Sequence, residues 1–142
     1  ASLRSVPDFI TEKSLLDSLS SEEFNVLKDL PKDSGMLISL AGPGKGARFL
    51  LDSDEVTIGR ESSSEIFLDD VTVSRKHCRI LRSKSATGTI FEIEDLSSLN
   101  GTYVNAVSKV KTSLNHGDEV QVGKYRLTFF RPVTGQRSGE IQ

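Results

Sequence analysis

The chain has 142 residues, 36% of them hydrophobic, which suits one domain with room for a real core. Its formal net charge of −2 provides no global attraction to nucleic acid or to an anionic membrane, so any anion site must be local. The single cysteine, Cys78, excludes an intrachain disulfide and a cysteine-based zinc site, and no apolar run approaches the length of a membrane span.

Residues 1–34 carry an excess of acidic groups, whereas the remainder is close to neutral. Ala1-Ser2-Leu3-Arg4 lacks the apolar core of a signal peptide, and a cytoplasmic monomer is expected. Residues 11–30 have helical spacing, with Leu15, Leu16, Leu19, Leu27 and Leu30 set among charged and hydroxyl residues. Ser20-x-x-Glu23 has the form of a capping box opening a second short helix, and Pro31 closes it. A loosely ordered or partner-bound segment is favoured here over one docked on the rest of the chain.

From Gly35 the period changes to two. Met36–Leu40 and Ala47–Leu51 flank the turn residues 41–46 as a hairpin, and Val56–Ile58 and Glu65–Leu68 follow as short strands. His77–Arg82 and Thr89–Leu96 alternate well around a polar turn over residues 83–88. Thr102–Asn105 is brief, and Glu119–Val122 with Tyr125–Phe130 surround the hairpin signal Gly123-Lys124. About ten short strands at this spacing predict a β-sandwich or barrel. Residues 133–142 read as a polar tail.

Between these runs lie the residues with chemistry. Gly59-Arg60, Val73-Ser74-Arg75-Lys76-His77 and Ser97-Ser98-Leu99-Asn100-Gly101-Thr102 put cations, hydroxyls, an amide and a tight turn into loops. A phosphate is held by a fixed cation and short-armed donors. Arg60 offers a planar fork of donors, Ser74 a hydroxyl close to the backbone, Arg75 a second cation, and Ser97 or Ser98 another hydroxyl. Asn100 has both an acceptor and donors with which to bridge a peptide backbone, and Gly101 permits the turn. His77 is read as a buried, neutral imidazole that holds the Ser74 loop rather than as a catalyst.

Rival readings fit less well. Ser74 and His77 with Asp69 or Asp70 would make a hydrolase triad, but no nucleophile-elbow pattern is present. Gly42-Pro43-Gly44-Lys45-Gly46 lacks P-loop spacing and reads as a hairpin turn. Cys78 reads as a small core residue and His116 as a turn residue, and no metal-ligand cluster or cofactor motif is found. Asn100-Gly101-Thr102 matches the glycosylation acceptor only formally.

Taken in order, Gly59-Arg60, Ser74-Arg75-Lys76-His77 and Ser98-Leu99-Asn100-Gly101-Thr102 resemble the forkhead-associated (FHA) domain over roughly Met36 to Arg131. Ala47–Asp52, Ile66–Arg75 and Gly117–Lys124 narrow the resemblance to the small actinobacterial regulators of the GarA/OdhI type. The resemblance implies an all-β FHA sandwich, here about ten to eleven short strands over residues 35–132, and the helical spacing noted above makes residues 1–34 a short helical or partly disordered segment before it. The resemblance also implies a non-enzymatic module that binds phosphothreonine peptides, with a preference over phosphoserine. Arg60 and Ser74 would contact the phosphate, Arg75 and Ser98 would line the same site, and Asn100 would hold the peptide backbone. Gly59, His77 and Gly101 would shape the loops. Leu99 departs from many family members, which have a phosphate-contacting Thr or Ser there.

The resemblance further implies partners: a phosphothreonine protein, a Ser/Thr kinase and enzymes of 2-oxoglutarate metabolism. In that type a kinase modifies an N-terminal Thr-Thr motif and the domain then binds its own tail. Residues 1–34 contain no such pair, and Thr11 is their one candidate phosphorylation site. The alternative function is a phospho-independent interaction module acting on an enzyme.

Overall fold

The computed structural model describes residues 19–132; Thr11, the predicted helical residues before Leu19 and the predicted tail lie outside them. Helix α1 (Ser21–Lys28) opens on the predicted capping box. The Ser20 hydroxyl accepts from the Glu23 N–H at 3.0 Å, and the Glu23 carboxylate accepts from the Ser20 N–H at 2.9 Å. Eight residues are too few for a helix to persist alone in water. Packing holds it instead: Leu27 is fully buried, and with Leu30 it covers Met36, Ile38 and Phe130.

This segment is docked, where the sequence favoured a loose or partner-bound one. The reason lies in strand β1 (Gly35–Ile38), which is buried on both faces. Leu37 enters the main core, while Met36 and Ile38 turn outward onto a second cluster that Leu27 and Leu30, from the chain before them, cover together with Phe130. Burying Leu27 alone contributes about 1.5–3 kcal/mol. Asp33 pins the connection to the domain: its carboxylate accepts from Thr89 and pairs with Lys84 at 2.8 Å, and its carbonyl accepts from Arg82 at 2.8 Å.

The remaining strands are β2 (Arg48–Leu51), β3 (Glu55–Gly59), β4 (Ile66–Phe67), β5 (Cys78–Ser85), β6 (Gly88–Asp95), β7 (Thr102–Val104), β8 (Val107–Ser108), β9 (Lys111–Ser113), β10 (Glu119–Val122) and β11 (Tyr125–Phe130). They form a six-stranded sheet, β2-β1-β11-β10-β7-β8, and a five-stranded sheet, β4-β3-β5-β6-β9. The expected sandwich is therefore present. Its seam is apolar, with Leu37, Val122, Leu127 and Phe129 from one sheet and Ile58, Ile80, Phe91 and Ile93 from the other. Phe91 and Phe129 meet edge to face across it at 5.3 Å.

Two strands, β8 and β9, were not anticipated. Lys111-Thr112-Ser113 has no apolar alternation and is recruited by pairing with Glu92–Glu94 at the edge of the smaller sheet. The β5–β6 hairpin also runs further than predicted, to Ser85 paired with Gly88.

One consequence of register matters most for function. Ile58 pairs with Cys78, and Cys78 pairs with Asp95. The end of β3, the start of β5 and the end of β6 therefore lie side by side. The Thr102 hydroxyl, at the start of β7 in the other sheet, donates to Asp95 at 2.7 Å. Three loops that are distant in sequence thus emerge at one end of the sandwich.

Candidate phosphopeptide site

Gly59 ends β3 against the loop that contains Ser74. A Cβ at Gly59 would lie 2.0 Å from the Arg75 carbonyl oxygen, an approach no other residue allows. That closeness lets the backbones bond: the Arg60 N–H donates to the Ser74 carbonyl at 2.9 Å, and the Glu61 N–H to the Arg75 carbonyl at 3.2 Å. The exposed Arg60 side chain is aimed by its Nε, which donates to the Val73 carbonyl at 3.0 Å. Its terminal amino groups bond to none of the described residues.

His77 is fully buried and ties two loops together. Its Nδ1 accepts from the Ser74 N–H at 3.0 Å, so Nε2 carries the hydrogen and donates to the Gly101 carbonyl at 2.8 Å. Both ring nitrogens are occupied by backbone groups, which leaves neither to act as a base toward Ser74 in this arrangement. Asp70 likewise bonds Thr72 and Lys124 instead of His77.

The Ser74 hydroxyl accepts from the Leu99 N–H at 2.9 Å and keeps its own hydrogen to donate. Leu99, the departure noted above, thus joins through its backbone while its side chain stands in solvent. Asn100 is exposed; its Nδ2 donates to the Thr72 carbonyl at 3.1 Å, and its Oδ1 has no partner among the described residues. Arg75 and Lys76 are exposed beside them, and the Arg75 guanidinium has no partner among the described residues.

Ser98 was expected to line the same site, and its hydroxyl is engaged within its own loop. Its hydroxyl donates to Asp95 and accepts from the Gly101 N–H at 2.9 Å, so its hydrogen is turned into the loop and away from any phosphate. Asp95 also accepts from the Ser98 N–H at 3.1 Å, and Gly101 turns with a φ of 86° that few residues with a Cβ adopt. Ser98 therefore closes the turn that presents Leu99 and Asn100. Burial pushes the Asp95 carboxyl up, but the hydrogen bonds from Ser98 and Thr102 outweigh it and hold the group below the usual carboxylate range.

Sequence reasoning missed Asp70, Thr72 and Lys124. Lys124 pairs with Asp70 at 2.8 Å, and Asp70 accepts from the Thr72 N–H at 2.8 Å, a turn of the Asp-x-Thr kind that was readable in the sequence. Hydrogen bonds from Lys124 and Thr72 lower the Asp70 carboxyl from 3.8 to about 2. A carboxyl depressed in the folded state stabilises the fold above its unfolded value, and that contribution is lost as the pH falls through the folded value. The stability difference between wild type and Asp70→Asn, measured by urea denaturation, should be constant above about pH 5 and shrink towards pH 2.

Cys78 is buried, and that burial pushes its thiol up to about 12, which leaves it an inert core residue. No group of three metal-ligating side chains occurs among the described residues, and none of their helices is long and apolar enough to cross a membrane.

Comparison with known proteins agrees with this geometry. The FHA domain family matches residues 56–123. An oxoglutarate dehydrogenase inhibitor from Corynebacterium jeikeium is 48% identical over 103 residues, which are 72% of this chain and 69% of that protein. The glycogen accumulation regulator GarA from Mycobacterium tuberculosis is 41% identical over 134 residues, 94% of this chain and 78% of that protein. Among solved structures, one from a structural and functional analysis of phosphothreonine-dependent FHA domain interactions superposes with a TM-score of 0.60 at 28% identity, covering 68% of this chain and 95% of that one. The chain belongs to the FHA-domain family and is closely related to the oxoglutarate dehydrogenase inhibitor and GarA regulators.

Proposed function

We propose that this protein is a regulatory module that binds phosphothreonine segments produced by a Ser/Thr kinase, with residues 35–132 as the binding domain. The observation that supports this most is the Arg60 fork, aimed by a backbone carbonyl at the same loop that offers the Ser74 hydroxyl. Arg60 and Ser74 hold the phosphate in this reading, and Arg75 adds charge. Asn100 grips the peptide backbone through Oδ1. Gly59, His77, Ser98 and Gly101 keep the loops in place. The names of its relatives extend the reading to inhibition of oxoglutarate dehydrogenase. Thr11 is the candidate modification site on the chain itself.

A matched pair of degenerate peptide libraries, one centred on phosphothreonine and one on threonine, tests the reading by affinity capture followed by calorimetry on selected peptides. Binding confined to the phosphorylated library is expected. Equal affinity for both forms would replace the reading with that of a phospho-independent module.

A further inference from the structure

Thr72 is tightly held yet has no part in the contacts proposed above. Its hydroxyl donates to the Asp70 carboxylate and accepts from the Lys124 N–H at 2.9 Å. Its own N–H goes to Asp70 at 2.8 Å, and the other Asp70 oxygen pairs with the Lys124 ammonium at 2.8 Å. Groups from the β4–β5 loop and the β10–β11 turn thus close on one hydroxyl. The Thr72 carbonyl is left to accept from Asn100 Nδ2 at 3.1 Å. An exposed Asn amide has two nearly isosteric orientations, and the hydrogen bond it makes decides between them.

We infer that Thr72 is a positioning residue for the peptide site: clamped by Asp70 and the Lys124 N–H, its carbonyl sets the orientation of the Asn100 amide, so that Oδ1 is presented to a backbone N–H of the bound peptide. The inference rests on the reading of Asn100 as the peptide-backbone contact. It makes the β10–β11 turn part of the binding site, although that turn supplies none of the proposed ligand contacts. A pre-oriented Asn100 loses less rotamer freedom on binding, which is where the affinity arises.

The test is a double-mutant cycle read by calorimetry with one phosphothreonine peptide selected from the library. Thr72→Val removes the clamped hydroxyl at constant shape and is expected to weaken binding about three- to tenfold, the net size of one hydrogen bond. Thr72→Ser should restore binding. In an Asn100→Ala background, Thr72→Val should cost nothing further, because the residue it positions is gone. Asp70→Asn loosens the same clamp without altering Thr72 and should show the same dependence on Asn100. Full binding by Thr72→Val, or equal losses in both backgrounds, overturns the inference. If the wild type itself fails to distinguish phosphothreonine from threonine, the reading of the site falls. If it distinguishes them but the cycle is additive, only the role of Thr72 falls.

Discussion

Arg60→Ala is expected to weaken phosphothreonine-peptide binding by roughly 10- to 150-fold, the range of a hydrogen bond to a charged group. The same change should leave the urea midpoint unaltered within error. The separation follows from where the side chain sits. Arg60 is exposed, and among the described residues its side chain bonds only the Val73 carbonyl, so the fold loses little when it is removed. The strap between Gly59–Glu61 and the Ser74 loop is made by backbone groups that alanine retains. Arg60→Lys should fall between the two, since an ammonium keeps the charge but loses the fork. The variant's remaining affinity should depend less on salt than that of the wild type, because one screened charge pair has gone. Calorimetry at two ionic strengths checks both statements.

His77→Ala should behave in the opposite way, with a stability loss of about 2–4 kcal/mol accompanied by weaker binding. The imidazole is fully buried and satisfies the Ser74 N–H on one side and the Gly101 carbonyl on the other. Alanine leaves both backbone groups unpaired and opens a cavity between the loops. Urea denaturation should show a lower midpoint with an unchanged slope. Peptide affinity should fall even where the variant is fully folded, because Ser74 and Asn100 sit on the two loops that His77 joins. A variant as stable as the wild type would assign the imidazole a peripheral place. The expected contrast between Arg60 and His77 would separate a residue proposed to meet ligand from one that holds others in position.

Much of the architecture was legible in order because it rests on local periodicity. Thr89–Leu96 alternates so clearly that β6 follows from its own residues, and the capping box of α1 is equally local. The short polar strands β8 and β9 were not legible, since Lys111–Ser113 owes its conformation to the neighbour it pairs with. Docking of α1 was hidden for a similar reason: whether Met36 and Ile38 face a core or solvent depends on which side of β1 the second sheet occupies.

The candidate site divides along the same line. Residue type and spacing marked Arg60, Ser74 and Asn100 as candidates, because phosphate and peptide backbone demand particular donors whatever the fold, and the family resemblance assigned their roles. Tertiary structure decided which way each donor turns. Ser98 and Ser74 are the same side chain in similar loops, yet Asp95 draws the first hydroxyl inward while the Leu99 N–H leaves the second free to donate. Likewise Thr72 acquires its place only because the β10–β11 turn arrives beside it from 52 residues further along the chain. A sequence lists hydrogen-bonding groups, but their pairing is settled by distance in the folded chain, and that depends on strands and turns far removed from the loops themselves.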